Sequence, residues 1–206
     1  LTLLACLRIP VENLLLVLLP VGCLTVLLAQ FLPVAIQIRT GKIRGQVQCV
    51  ALVGVAAALT ENLAKEGIII RRAFPFDLSR TRRFIAETFS ESWADETEAG
   101  FARQPITCWV AIADGQVKGF ACVDATMRGM FGPTGVCPTL RGKGVGKALL
   151  LHALSGLWDM GYAYGVIAGA GPIEFYRKAC GAIEIPDSVP GIYQHMLKDD
   201  GKEGTR

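Results

Sequence analysis

The sequence predicts a mixed α/β (α+β) fold, a central mixed sheet flanked by helices, with an apolar N-terminal extension ahead of it. Three observations carry this. In "TCWVAIADGQVKGFACVDA" two almost wholly apolar runs flank Asp114-Gly115, a pair that suits a type I′ hairpin turn. Strands apolar on both faces belong in the middle of a covered sheet. From Gly67 onward strand-like and helix-like segments alternate, and "VCPTLRGKGVGKALL" sets Gly142, Gly144 and Gly146 between a proline and an apolar helical run, as a strand-to-helix turn would.

The chain has 206 residues and divides into an apolar segment over 1–66, a domain over 67–198 and a polar, disordered tail over 199–206. Between Asn13 and Ile38 no side chain is charged. That run exceeds the ~20 apolar residues a bilayer span requires, although Pro20, Gly22 and Pro33 interrupt it. It lacks the cationic start and small-residue cleavage site of a signal peptide. "AIQIRTGKIRGQVQCVAL" alternates apolar and polar residues around Thr40-Gly41-Lys42, as a hairpin does. Arg39, Lys42 and Arg44 would place this side of a spanning helix in the cytoplasm. Membrane association through residues 13–38, a soluble packing unit and a remnant of a larger domain all fit. The chain opens on Leu1 rather than Met, as a fragment or a misplaced start would.

Within the domain, "GIIIRRA" reads as a strand, broken by Gly67 from a preceding helix in "LTENLAKE". "FDLSRTRRFIAETF" has helical spacing at Leu78, Phe84, Ile85 and Phe89. "SESWADETEAGFARQP" reads as an acidic loop and a short helix ending before Pro105. After the hairpin, "MFGPTGVCP" is a strand loosened by glycine and proline. A helix follows from about Gly144 to Met160, closed by Gly161. Strand "YAYGVIAG", helix "PIEFYRKAC" and a last strand "GIYQHMLK" complete the domain.

Charge and cysteine usage exclude several functions. Residues 67–206 carry 16 basic and 15 acidic side chains, a net of 16 − 15 = +1. That balance argues against nucleic acid as a partner. Seven cysteines without CxxC spacing and only two histidines, His152 and His195, offer no zinc set. No metal is expected, and the thiols read as reduced residues of a cytoplasmic protein. His152, within an apolar helix face, reads as a satisfied core residue.

A helix N-terminus exposes unpaired amides and the positive end of its dipole, so it favours an anion. Glycines let the backbone approach that anion closely. "RGKGVGK" therefore reads either as a phosphate cradle or as a plain glycine-rich turn. It is not a P-loop, since Arg141 stands at the first glycine position and Ala148 at the metal-binding hydroxyl. The dinucleotide fingerprint fails as well, because Lys147 stands at its third glycine. What fits is R-x-x-G-x-G, Arg141, Gly144 and Gly146, after Val136 and Pro138. This resembles the coenzyme A-binding motif of the GNAT acyltransferase superfamily. "EFYRKACGA", Glu174 to Ala182, resembles the family's F-Y-x-x-x-G-[FA] helix end.

The resemblance implies an acetyl-CoA-dependent N-acetyltransferase acting on an amine of a small molecule or peptide, with acetyl-CoA as cosubstrate. It implies that strands "TGVCP" and "YGVIAG" splay apart around the pantetheine arm, with Val136 and Cys137 offering backbone groups. The amides of Gly142, Lys143, Gly144, Val145, Gly146 and Lys147 would hold the diphosphate, and Arg141 and Lys143 would add positive charge. Tyr176 matches the family's usual general acid. The strand before the glycine loop lacks the carboxylate many relatives carry. Asp124 therefore stands as the candidate base, with Glu91, Asp95, Glu96 and a water chain as alternatives. Glu91 and Trp93 are candidates for receiving a cationic acceptor. Gly169 replaces a common asparagine and Pro172 a common alanine, which puts one cofactor contact in doubt. A non-catalytic acyl-CoA sensor is the competing reading, and a homodimer is compatible with either.

Overall fold

The computed structural model describes residues 49–188 and 191–197. Residues 13–38, the Thr40–Lys42 hairpin and the 199–206 tail lie outside the described residues. In chain order the elements are α1 (Cys49–Lys65), β1 (Ile68–Arg72), α2 (Leu78–Thr88), α3 (Glu91–Phe101), β2 (Cys108–Ala113), β3 (Gln116–Val123), β4 (Met130–Val136), α4 (Val145–Asp159), β5 (Val166–Ile167) and α5 (Ile173–Cys180). The strands form one sheet in the order β1-β2-β3-β4-β5. The first three pairings are antiparallel and the last, β4 with β5, is parallel.

The β2–β3 hairpin turns as its sequence predicts, with Asp114 at φ 53° and Gly115 at φ 70°. Two consecutive positive φ values match the twist of the flanking strands. Both strands lie inside the sheet and are covered on both faces. On one face pack α1, α4 and α5, with Leu63, Ile70, Trp109, Leu149, Leu150 and Tyr176 in a common core. On the other face α2 and α3 contribute Ile85, Ala94 and Phe101 to a second core with Val110, Phe120 and Cys122.

Particular side chains set how closely these layers approach. A Cβ at Gly156 of α4 would lie 2.2 Å from the ring of Trp109, so only glycine admits the indole there. The Arg72 guanidinium covers Trp109 at 4.3 Å from the ring centroid and donates to Ile106 O at 2.6 Å. Leaving β1, the chain is turned into α2 by Asp77. Its carboxylate accepts two bonds from Arg71, at 2.6 and 3.0 Å, and one from the Phe74 amide at 2.7 Å.

Three segments differ from the sequence reading. The acidic stretch after Phe89 is helical from Glu91, because the Ser90 hydroxyl caps α3 by accepting from the Trp93 amide at 3.2 Å. The strand in "YAYGVIAG" shrinks to Val166–Ile167. The last strand does not form, and Gly191–Tyr193 is a 3₁₀ turn instead. A strand needs a partner edge, and β5 offers only two residues.

Helix α1 is part of the same packing as the sheet. Leu63 is 2% exposed and Ala56 3%, and the Thr60 hydroxyl lies 2.8 Å from His152 Nε2 on α4. Burial lowers the His152 pKa, so its ring is neutral in this setting. Among the described residues no helix is long and apolar enough to cross a membrane. Leu63→Ala is expected to lower the unfolding free energy by about 2–5 kcal/mol in urea titration, with Glu61→Ala on the exposed face of α1 leaving the midpoint unchanged.

Candidate active site

The site is built along β4, whose two ends do different things. At its start it pairs with β5 through Met130–Val166 and Phe131–Ile167 only. Beyond that fork the strands part. A bulge falls where three residues of β3, Ala121 to Val123, face four of β4, Phe131 to Thr134. On its β3 side, β4 pairs Val136 with Gly119, and the Cys137 amide donates to Lys118 O at 2.8 Å. In an antiparallel ladder this makes Val136–Gly119 a non-hydrogen-bonded pair. The backbone groups of Val136 and, by alternation, Thr134 then face the open edge. Cys137 is thus corrected as a donor toward the cleft: its N–H is spent on β3, and Thr134, which the sequence reading passes over, takes its place.

Past β4, a 3₁₀ turn at Pro138–Leu140 leads into the glycine loop. Gly142 has φ 80° and Gly144 φ 89°, left-handed conformations that glycine adopts without a Cβ penalty. Gly144 is the N-cap of α4, and the Ala148 amide makes the first bond, to Gly144 O at 3.0 Å. The amides of Val145, Gly146 and Lys147 precede it and have no helical acceptor. A Cβ at Gly146 would sit 3.6 Å from Val136 and 3.8 Å from Phe175, ordinary van der Waals contacts, so the start of α4 lies beside β4 and α5. Arg141 folds back on the strand, its Nε donating to Val136 O at 3.3 Å. Two left-handed glycines, free helix-start amides and adjacent cations fit a diphosphate.

Tyr176 stands at the fork. It is 7% exposed, and its ring lies 6.1 Å from Phe131 and 5.1 Å from Phe175, edge-on to each. Burial, with a smaller contribution from Cys180, raises its pKa above the usual tyrosine value. Helix α5 ends at Gly181, φ 71°. Four residues, Arg177 to Cys180, separate Tyr176 from that glycine, one more than the F-Y-x-x-x-G pattern allows. Gly169, at φ 57°, packs against the Tyr193 ring, 3.5 Å from where a Cβ would be.

Asp124 does not join this group. It follows β3, on the far side of β4 from the open edge, at φ 54° and 7% exposed. One carboxylate oxygen accepts the Gly129 amide at 2.6 Å and the other accepts the Tyr162 hydroxyl at 3.0 Å. Its main-chain oxygen accepts from Arg103 at 3.3 Å. The side chain closes the β3–β4 connection.

The α3 carboxylates are also committed. Arg82 lies 3.2 Å from Glu91, 2.8 Å from Asp95 and 2.5 Å from Glu98, and Glu96 accepts from the Thr126 hydroxyl. Trp93 stacks on Phe89, with centroids 5.5 Å apart. A Cβ at Gly135 of β4 would fall 2.4 Å from the Phe89 ring. That aromatic contact with β4 had one sequence signal, a glycine in mid-strand.

Helix α1 reaches the loop as well. A Cβ at Gly144 would meet Leu59 at 3.2 Å, and Glu66 lies 3.8 Å from Lys143. Among the described residues no group of histidines, cysteines and carboxylates is arranged to hold a metal.

A family model described as the acetyltransferase (GNAT) family matches residues 72–182. No curated protein matches the chain. Among solved structures, the chain is similar to a GNAT family acetyltransferase from Brucella melitensis in complex with acetyl-CoA, at 26% identity and TM-score 0.44, covering 54% of this chain and 80% of that one. It is similar to a GNAT family N-acetyltransferase from Escherichia coli in complex with CoA, at 22% identity and TM-score 0.43, covering 54% and 67%. An aminoglycoside acetyltransferase from an uncultured soil metagenomic sample, in complex with sisomicin, is similar at 18% identity and TM-score 0.45, covering 65% and 99%.

Gly144→Ala is expected to weaken CoA binding at least tenfold in titration calorimetry, since it forces a side chain to φ 89° against Leu59. Glu66→Gln is expected to tighten CoA binding about twofold to threefold at low salt, an effect that fades as salt screens the exposed pair.

Proposed function

The chain belongs to the acetyltransferase (GNAT) family, and on that premise we propose that it moves an acetyl group from acetyl-CoA to a primary amine of a small molecule or peptide. The amine attacks the thioester directly. The observation that carries this reading is the alignment of three features along one strand. Tyr176 stands at the fork where β4 leaves β5, the open edge carries Thr134 and Val136, and the left-handed glycine turn delivers the α4 amides at its end. The proposed catalytic domain takes in residues 67–198 together with α1.

In this proposal the amides of Val145, Gly146 and Lys147, with Lys143 and Arg141, bind the diphosphate. Thr134 and Val136 orient the pantetheine arm through their backbone groups. The bound thioester supplies an activated acyl carbon. An alkylammonium, with a pKa near ~10, must first lose a proton. Asp124 is engaged on both oxygens and β4 carries no carboxylate, so that proton passes to water. As the C–S bond breaks Tyr176 donates to the departing sulfur, and the second proton, shed by the nitrogen as it becomes an amide, returns to the phenol through water. Burial suits it to this role, because a raised pKa keeps the phenol protonated across the pH range in which the amine becomes neutral.

The missing strand carboxylate also supports a second reading, an acyl-CoA-binding module without turnover. Thiol release by the full chain against a panel of primary amines separates the two. Release with at least one amine supports the transferase, and tight acetyl-CoA binding without release from any of them supports the module.

Tyr176→Phe is expected to lower kcat by about 10²-fold or more with the acetyl-CoA Kd unchanged. The wild-type rate should climb with pH as the amine deprotonates and fall only above the ordinary tyrosine range, where the phenol ionises. An unchanged kcat in the variant would remove Tyr176 from the chemistry.

A further inference from the structure

Resting on that reading, we propose that the acceptor is an amine with an aromatic or other apolar body, received on the Phe89–Trp93 wall. The cleft along β4 has two faces. One is closed by α4 and α5, with Tyr176 and Phe131 in the core beneath it. The other carries Phe89, whose ring lies so close over Gly135 that a single Cβ would collide with it at 2.4 Å. Phe89 is braced edge-on by Phe84 at 5.9 Å and Phe120 at 5.8 Å. Trp93 stacks on it at 5.5 Å with 25° between the ring planes, and meets Phe120 at 6.4 Å.

Trp93 is held on these sides and still exposes 37% of its surface. A large, rigid aromatic surface that is fixed yet wet gains by covering an apolar group or an ammonium-bearing chain. Through Phe89, which lies on Gly135 of β4, it extends the wall beside the strand that orients the acyl donor, where the body of an attacking amine would lie.

Glu91, Asp95 and Glu98 converge on the single guanidinium of Arg82, whose bonds to Asp95 and Glu98 raise its pKa. Glu96 is bonded to Thr126. Four carboxylates against one guanidinium leave this face net negative, so it attracts an ammonium, and the exposed aromatic surface is what selects among amines.

The test uses the full chain with saturating acetyl-CoA and compares kcat/KM for 2-phenylethylamine, propylamine and spermidine. The expected order puts phenylethylamine at least tenfold above both others. Trp93→Ala should lower its kcat/KM tenfold or more, Trp93→Phe should retain most of it, and neither should alter the acetyl-CoA Kd by calorimetry. Where Trp93→Ala fails to fold, the wild-type order and Trp93→Phe decide. Spermidine matching phenylethylamine, an equal loss for all three amines in Trp93→Ala, or acetyl-CoA binding without turnover of phenylethylamine would each overturn the proposal. Absence of acetyl-CoA binding would overturn the underlying reading, and calorimetry reports it separately.

Discussion

Two residue pairs, Met130–Val166 and Phe131–Ile167, are the whole of the contact between β4 and β5, and the rest of the site depends on that brevity. A longer ladder would consume the backbone groups of Thr134 and Val136, because each strand residue has one donor and one acceptor to spend. The bulge opposite Ala121 and Val123 re-aims β4 just after the fork. Tyr176 is seated against Phe131 at the last point where the two strands are still joined.

The other end of β4 is governed by backbone conformation. Gly142 and Gly144 reverse the chain into α4 through two left-handed residues, so that helix-start amides follow directly on a strand end. Gly146 lies beside Val136 and Phe175 at ordinary van der Waals distance. Around this turn α1 is not a bystander: Leu59 touches Gly144, Glu66 approaches Lys143 and Thr60 bonds His152. Hydrophobic burial of Leu63 thereby holds a helix against the loop that carries the anion chemistry. Sequence alone invites a boundary at Gly67, since that glycine (φ 77°) does break helix from strand, but a conformational break does not separate packing.

Several acidic side chains are tied up locally. Arg82 gathers three carboxylates of α3, and Asp124 spends both oxygens on closing a loop. Each looks reactive in a linear sequence because its type and neighbourhood fit an acid–base role. In the fold their lone pairs are already committed. Tyr176 differs. Its motif marks it in the sequence, and packing makes it a buried phenol at the fork of the sheet.

By itself the sequence determined what is encoded within a few residues: the Asp114-Gly115 hairpin, the two middle strands, the glycine turn into α4 and its stop at Gly161, and the helix ending at Gly181. These follow from allowed φ and ψ and from local apolar period, which is also why the family motifs at Arg141–Gly146 and Phe175–Tyr176 were legible. Only the tertiary structure decided that β5 would be two residues long, that "GIYQHMLK" would find no partner edge, that Thr134 and not Cys137 would face the cleft, and that Phe89 would lie on Gly135. Those outcomes rest on register and on contacts between residues distant in the chain. The edge a backbone group faces, and the partner a charge meets, are properties of the assembled sheet and not of any stretch of it.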